Sequence, residues 1–170
     1  MYDVVALGEL LIDFTTQAAD PDGYPTMVAH PGGAPANFLA AIAKFGGKAA
    51  LLGKVGTDTF GKLLTDTLRK AGIETKGLVA SDEVFTTLAF VTLDENGDRE
   101  FAFARKPGAD TQLRFDELDL SIIDETRVFH FGTLSLTDEP ARSTTYRAVE
   151  YAKAHGKLVT FDPNLRKPLW

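Results

Sequence analysis

At residues 30–37 the chain reads HPGGAPAN, which places two glycines and an asparagine at a loop-to-helix junction. Gly32 and Gly33 have no Cβ, so both can adopt positive φ and let another group approach their backbone closely. Pro35 suits the first turn of a helix, and Asn37 would then present an amide one turn further on. Taken alone, the stretch fits either a plain turn or a ligand-binding helix start.

Composition predicts a single globular domain and narrows the possible partners. The 170 residues are 44% hydrophobic and 25% charged, which is enough apolar material for a sizeable core. A net charge of -6 argues against nucleic acid and against an anionic membrane surface, because both attract clusters of Lys and Arg. We therefore expect neither a nucleic acid nor a membrane as partner.

The cysteine and histidine content argues against thiol chemistry and against a zinc site. The chain has no cysteine, which rules out disulfides and a cysteine nucleophile, and its three histidines are too scattered to suggest a zinc site. The apolar stretch 4–12 is broken by Gly8 and Glu9, so it predicts a buried strand and neither a signal peptide nor a membrane span. We expect a cytoplasmic protein.

Apolar runs of strand length alternate with helical patterns, which predicts an α/β fold with a doubly wound, mostly parallel sheet. Glycines follow the last apolar positions of the predicted helices, where a left-handed residue often ends a helix. The predicted strands are 2–7, 49–52, 127–131 and 157–161, and the predicted helices are 36–45, 59–71 and 139–155.

The segment 84–105 interrupts this order with strand alternation on both sides of Asn96-Gly97, a strong hairpin signal. On the outgoing strand, the period of two places Phe101, Phe103 and Arg105 on one face. The hairpin either packs on its own core with Arg105 as an edge charge, or forms a flap whose underside covers a polar ligand.

Five motifs form an ordered series along the chain: GELLID at 8–13, GGAPAN at 32–37, GKVGTD at 53–58, REFAFARKPGAD at 99–110 and DPNLR at 162–166. Together they resemble the PfkB, or ribokinase-like, family of carbohydrate kinases, and among them the fructokinases. The sequence departs from the family pattern at Leu39, where the family usually has a small residue, and at Ala104, where fructokinases often carry tyrosine.

The resemblance implies that residues 1–170 are the amino-terminal part of a ribokinase-like domain with a small β lid, formed by segments of about 13–31 and 84–110. It implies a sugar site, and a carboxylate suits such a site because it accepts charge-assisted hydrogen bonds from hydroxyls. The residues implied to bind the sugar are Asp13, Gly32, Gly33, Asn37, Phe101, Phe103 and Arg105.

The resemblance also implies ATP and Mg²⁺ as cofactors of the intact enzyme, with Asn164 and Arg166 near the transferred phosphate. Arg166 could stabilise charge on the phosphoryl oxygens. The family's catalytic Gly-Ala-Gly-Asp motif does not occur here. We read Gly108-Ala109-Asp110 as part of the lid pattern, and expect the base and the nucleotide pocket to lie beyond Trp170, so that this chain alone does not phosphorylate.

Two other functions compete with a sugar kinase. One is a stand-alone, non-catalytic sugar-binding module. The other is a dinucleotide-dependent enzyme, which the lack of Gly-x-Gly-x-x-Gly after Leu7 disfavours. A homodimer that pairs through the lid remains open.

Overall fold

The computed structural model describes residues 1–93 and 99–170. The strands are β1 (Tyr2–Leu7), β2 (Leu11–Thr16), β3 (Met27–Gly32), β4 (Ala49–Gly56), β5 (Ile73–Glu74), β6 (Leu78–Ser81), β7 (Leu88–Leu93), β8 (Arg99–Ala104), β9 (Thr126–Gly132) and β10 (Leu158–Asp162). The helices are α1 (Ala34–Lys44), α2 (Thr59–Lys70), α3 (Leu120–Asp124) and α4 (Ala141–Ala154). Within residues 1–93 and 99–170, no helix combines the length and the apolar character that crossing a bilayer requires.

The main sheet is parallel, with strand order β10-β9-β1-β4-β5, and β6 pairs with the outer part of β4. Strand β1 lies between β9 and β4, and successive residues of β1 point into opposite cores. Val4 and Ala6 join the core beneath α1 and α2, whereas Val5 and Leu7 join the core beneath α3 and α4. Because both faces are covered, the four buried residues of β1, from Val4 to Leu7, are all apolar. The predicted doubly wound α/β class is confirmed.

Strand β4 extends beyond the predicted 49–52 and includes a buried lysine, Lys54, at which the apolar pattern ends. The Nζ of Lys54 donates to Glu117 Oε1 at 2.7 Å and to the Gln112 carbonyl oxygen at 3.1 Å. Both partners lie about sixty positions after Lys54 in the sequence. The local sequence pattern therefore shows only a charge at the end of an apolar run and cannot show that this charge is paired.

A separate small sheet has the order β3-β2-β7-β8. The pairs β2–β3 and β7–β8 are antiparallel, and the central pair β2–β7 is parallel. The β7–β8 ladder runs from Leu88 opposite Ala104 to Leu93 opposite Arg99, as the hairpin signal predicts. The Asn96-Gly97 turn lies outside the described residues.

Asp58 joins the small sheet to the main one. Its Oδ1 accepts from the backbone N–H groups of Phe60 and Gly61 at the start of α2, which is an N-cap. Its Oδ2 accepts from the Thr86 N–H at 2.8 Å, just before β7. These bonds lower the pKa of Asp58, although its burial acts in the opposite direction.

Strand β10 is the edge of the main sheet in this chain, and it exposes Leu158 and Phe161. An apolar edge strand is a template for pairing with another copy. We therefore expect chain 1–170 to self-associate, so that its mass in sedimentation equilibrium rises with concentration.

The variant Leu158→Lys should reduce this association, because it places a charge on the edge. The matched control is Leu63→Lys, which changes an exposed leucine of α2 and should leave the association unchanged. A monomer at every concentration of the unmodified chain would contradict the prediction.

Candidate functional site

A cavity of about 730 Å³ lies where the small sheet, the start of α1 and the segment after β10 meet. Its position is the carboxyl edge of the main sheet, where open α/β sheets bind ligands. The lining residues are Glu9, Leu11, Asp13, Thr15, Thr16, Gly33, Ala34, Asn37, Phe38, Val91, Phe101, Phe103, Leu134, Asp162, Asn164 and Arg166.

The two glycines are packed too tightly to carry side chains. Gly33 has φ +112°, and a Cβ there would lie 2.4 Å from the carbonyl oxygen of Glu9. A Cβ on Gly32 would lie 2.1 Å from Asp13 Oδ2. Gly33 lines the cavity, whereas Gly32 lies behind Asp13 and leaves room for its carboxylate. The backbone N–H of Asn37 donates to Gly33 in the first turn of α1.

Asp13 brings a half-buried carboxylate from the small sheet into the cavity. It sits in β2, opposite His30 of β3. Burial raises the pKa of Asp13, while Arg166 and His30 act to lower it. Asp13 can therefore accept hydrogen bonds from a neutral, hydroxyl-rich molecule.

Phe101 and Phe103 form an aromatic wall on β8. Their rings stack with centroids 6.2 Å apart, and both side chains are half-buried while the alternate residues of β8 are exposed. The guanidinium carbon of Arg166 lies 5.6 Å from the centre of the Phe101 ring, which is within cation–π range. An apolar wall facing a few polar groups is typical of small-molecule pockets.

Asn164 and Arg166 line the cavity after β10. Asn164 adopts φ 28°, a conformation that asparagine tolerates, and its N–H donates to Asp162 Oδ1 at 3.1 Å. Arg166 forms no ion pair with residues 1–93 or 99–170. Arg166 acts to lower the pKa of Asp13, and its charge could bind an anion at the cavity.

Arg105 is the predicted sugar contact that the structure places elsewhere. Its side chain is 2% exposed, and its Nε and Nη2 donate to Asp110 Oδ2 at 2.9 and 2.7 Å. Nη2 also donates to the Leu134 carbonyl oxygen, and Nη1 donates to Thr137 Oγ1. Arg105 does line a separate cavity of about 390 Å³ together with Phe101 and Phe103, as their shared period predicts, but its guanidinium turns inward to Asp110.

Asp110 is also held by contacts within the protein. Besides Arg105, it accepts a short hydrogen bond from the Thr87 hydroxyl, and the neighbouring Ala109 N–H donates to the Phe85 carbonyl oxygen at 2.9 Å. These bonds tie the end of the segment 84–110 to its beginning.

Glu9 lines the cavity and was missed from the sequence. It is fully buried, and its Oε1 accepts from the Ala34 N–H at 2.9 Å. Its Oε2 has no hydrogen-bond partner among residues 1–93 and 99–170. Burial raises the pKa of Glu9 to about 7. The available signal was an acid inside the apolar stretch 4–12.

His130 supports the cavity from below. Its ring centroid lies 4.3 Å from that of the lining residue Phe38, and its Nδ1 is 3.0 Å from Thr160 Oγ1. Burial lowers the pKa of His130, while Asp162 acts to raise it. Within the part of the chain that the structure describes, no three Asp, Glu, His or Cys side chains form a group that could hold a metal ion.

Comparison with known proteins agrees with this architecture. A model for the pfkB family carbohydrate kinases matches residues 1–170. The chain is 47% identical to probable fructokinase-3 of Arabidopsis thaliana over 169 residues, which are 98% of this chain and 49% of that protein. It is 46% identical to fructokinase-2 of Oryza sativa, covering 98% of this chain and 50% of the relative. The chain thus spans about half the length of the curated relatives it matches.

Solved structures give the same result. Fructokinase from Xylella fastidiosa superposes with a TM-score of 0.95 at 35% identity, covering 100% of this chain and 53% of that one. The same enzyme with bound ATP gives 0.93 at 34% identity, with 100% and 54% covered. Halothermothrix orenii fructokinase gives 0.88 at 35% identity, with 99% and 59% covered.

The close approach of Gly33 to Glu9 predicts that Gly33→Ala is strongly destabilising. The control is Gly46→Ala, because Gly46 has φ +85° and a Cβ added there would meet no other atom. The control should lose about 1–2 kcal/mol from backbone strain alone. Gly33→Ala should lose more, because the collision adds to the strain. Urea unfolding measures both, and equal losses would contradict the prediction.

The buried carboxyl of Glu9 predicts a pH-dependent stability. Its pKa in the folded chain, about 7, lies above the ordinary 4.5, so the folded state holds a proton that the unfolded state releases between these values. The contribution of Glu9 to stability is therefore full below pH 4.5 and is lost as pH rises through about 7. At 1.36 kcal/mol per pKa unit, the loss is about 3 kcal/mol.

Glu9→Gln should abolish this dependence. Between pH 5 and 8, the unfolding free energy of the unmodified chain should fall relative to that of the variant, so that the difference in favour of the variant grows as pH rises. Glu150→Gln, which changes an exposed acid of α4, is the charge control. A constant difference between Glu9→Gln and the unmodified chain across this range would rule out a raised pKa.

Proposed function

The chain belongs to the pfkB family of carbohydrate kinases, and from this membership we propose that the intact protein transfers the γ-phosphoryl group of ATP to a hydroxymethyl group of fructose. In this proposal, residues 1–170 supply the sugar site and the lid. The catalytic base and the nucleotide pocket would lie beyond Trp170.

One observation carries the proposal: a carboxylate from the small sheet and an amide from α1 line the same cavity. Asp13 accepts hydrogen bonds, whereas the side chain of Asn37 both donates and accepts. A sugar presents several hydroxyls at different angles, and each can pair with one of these groups. Charge-assisted bonds to Asp13 are worth about 1.5–3 kcal/mol each.

The aromatic wall suits the rest of a sugar. The ring carbons of a hexose leave apolar C–H faces between the hydroxyls, and Phe101 and Phe103 can cover such a face. The same wall excludes water from the polar floor, which strengthens the hydrogen bonds formed there.

ATP and Mg²⁺ complete the proposal as cofactors. ATP would supply the phosphoryl group, and Mg²⁺ would neutralise its phosphate charge. Arg166 and Asn164 suit the phosphate side of the cavity, since one brings a cation without an ion-pair partner among the described residues and the other an amide. We propose that Mg²⁺ enters together with the nucleotide, since this ion is usually bound through substrate phosphates and a few carboxylates.

Two further features belong to the proposal. The small sheet has an outer strand, β3, with exposed Met27 and Val28, which supports a homodimer that pairs through the lid. The absence of cysteine fits a reducing cytoplasm. The relatives from Arabidopsis thaliana and Oryza sativa are named as fructokinases, so a non-catalytic binding module gains no support.

The direct test is turnover. The intact protein, given ATP, Mg²⁺ and a panel of fructose, glucose and ribose, should release ADP fastest with fructose and yield a hexose monophosphate in mass spectrometry. Chain 1–170 alone should release none. Sugar-dependent turnover by chain 1–170, or none by the intact protein, would contradict the proposal.

Replacing the acceptor should weaken sugar binding. In the intact protein, Asp13→Asn should raise the dissociation constant for fructose about tenfold to a hundredfold, because it removes the charge from at least one hydrogen bond. Titration calorimetry measures this constant. Asp66→Asn, an exposed aspartate of α2 outside the cavity lining, should bind fructose as the unmodified protein does. Equal effects of the two substitutions would exclude Asp13 as a sugar ligand.

A further inference from the structure

We infer that Glu9 is a positioning residue of this cavity: its negative charge holds the turn that carries Gly33 and Asn37, and loss of that charge weakens sugar binding. The sugar-binding half of this inference rests on the proposed function. The anchoring half rests on geometry alone.

Glu9 holds the turn at two points. Its carboxylate accepts from the Ala34 N–H, and its carbonyl oxygen packs against the Cα of Gly33 so closely that no side chain fits between them. Helix α1 begins with Gly33 as its N-cap and has no side-chain cap of its own. The cap is thus supplied from 25 positions earlier in the chain.

The charge of Glu9 strengthens this hold. A carboxylate near the N-terminus of a helix interacts favourably with the helix dipole, and a hydrogen bond to an ionised acceptor is about twice as strong as one to a neutral acceptor. Protonated Glu9 loses both advantages. The turn then depends on a neutral carbonyl, and Asn37 loses its fixed place at the cavity.

Among the described residues, the charged ones near Glu9 do not form an ion pair with it. Arg105 acts to lower its pKa and Asp110 acts to raise it, but these two are paired with each other. The second oxygen of Glu9 remains without a partner among the described residues. Ionised Glu9 therefore lowers stability near neutral pH, a penalty that glutamine would avoid. Such a buried, perturbed acid in a cavity is typical of a functional residue.

The inference predicts that affinity for fructose falls as pH falls through about 7, where Glu9 takes up its proton. The other charged residues that line the cavity are Asp13, Asp162 and Arg166, and His30 pairs with Asp13 across the small sheet. Replacing Glu9 with an uncharged residue of the same shape keeps all four of these residues. Glu9→Gln therefore isolates the contribution of Glu9.

The experiment measures fructose binding to the intact protein by calorimetry from pH 5.5 to 8.5. The dissociation constant of the unmodified protein should rise about threefold to tenfold between pH 8 and 6, in line with a weakened charge-assisted bond. Glu9→Gln should bind with the weaker, low-pH constant and lose this step. Glu150→Gln should keep it.

A second readout needs no sugar. In protein labelled with ¹⁵N-alanine, the amide resonance of Ala34 should shift with a midpoint near pH 7, and the shift should vanish in Glu9→Gln. An Ala34 amide that does not titrate, or a binding step that Glu9→Gln retains, would overturn the inference. A titrating Ala34 amide in a protein that binds no fructose would instead reject the fructose assignment and support Glu9 as the anchor of the turn.

Discussion

The chain makes two excursions from the main sheet to build the small sheet. At the end of each excursion, a buried acid fastens the returning chain by hydrogen bonds. Glu9 closes the first by binding the Ala34 N–H where the chain re-enters the main fold. Asp110 closes the second through Arg105 and Thr87. Asp110 has a cation beside it, so its charge is balanced within the protein. Glu9 forms no ion pair within residues 1–93 and 99–170, and backbone N–H groups together with the charge of Arg105 act to lower its pKa. The two closures look alike in topology but differ in chemistry, and the unbalanced one faces the cavity.

These closures determine what the cavity contains. Both excursions begin and end at the carboxyl edge of the parallel sheet, so the residues they carry hang over the start of α1. Asp13 reaches the cavity only because Gly32 leaves space for its carboxylate, and Gly33 reaches it only because its backbone lies against Glu9. Asp13 comes from a strand and Asn37 from the first turn of a helix, not from long loops. Such supports hold a binding group more firmly than a loop does.

Local patterns predicted most of this architecture, because hydrophobic periodicity reports which faces are buried. The α/β order, the hairpin pairing of β7 with β8 and the exposed alternation of β8 all follow from spacing of two or 3.6 residues. Long-range pairs do not. Arg105 shares the period of Phe101 and Phe103, yet its course is decided by Asp110, across a turn that alternation cannot describe. Lys54 ends an apolar run in sequence but continues a strand in space, since Glu117 neutralises it. Glu9 stands out in the sequence as an acid within an apolar stretch, but no local pattern indicates that Ala34 is its hydrogen-bond partner.

The parallel pairing of β2 with β7 has a mechanical consequence. It joins the two excursions into one sheet, so Asp13 on β2 and the aromatic wall on β8 belong to a single sheet, while Asn37 belongs to helix α1 of the main fold. The two polar walls of the cavity are therefore carried by different elements. A molecule bonded to both Asp13 and Asn37 acts as a cross-link between them. A movement that separates the two sheets would break these hydrogen bonds, so binding of the molecule and closure of the cavity are coupled.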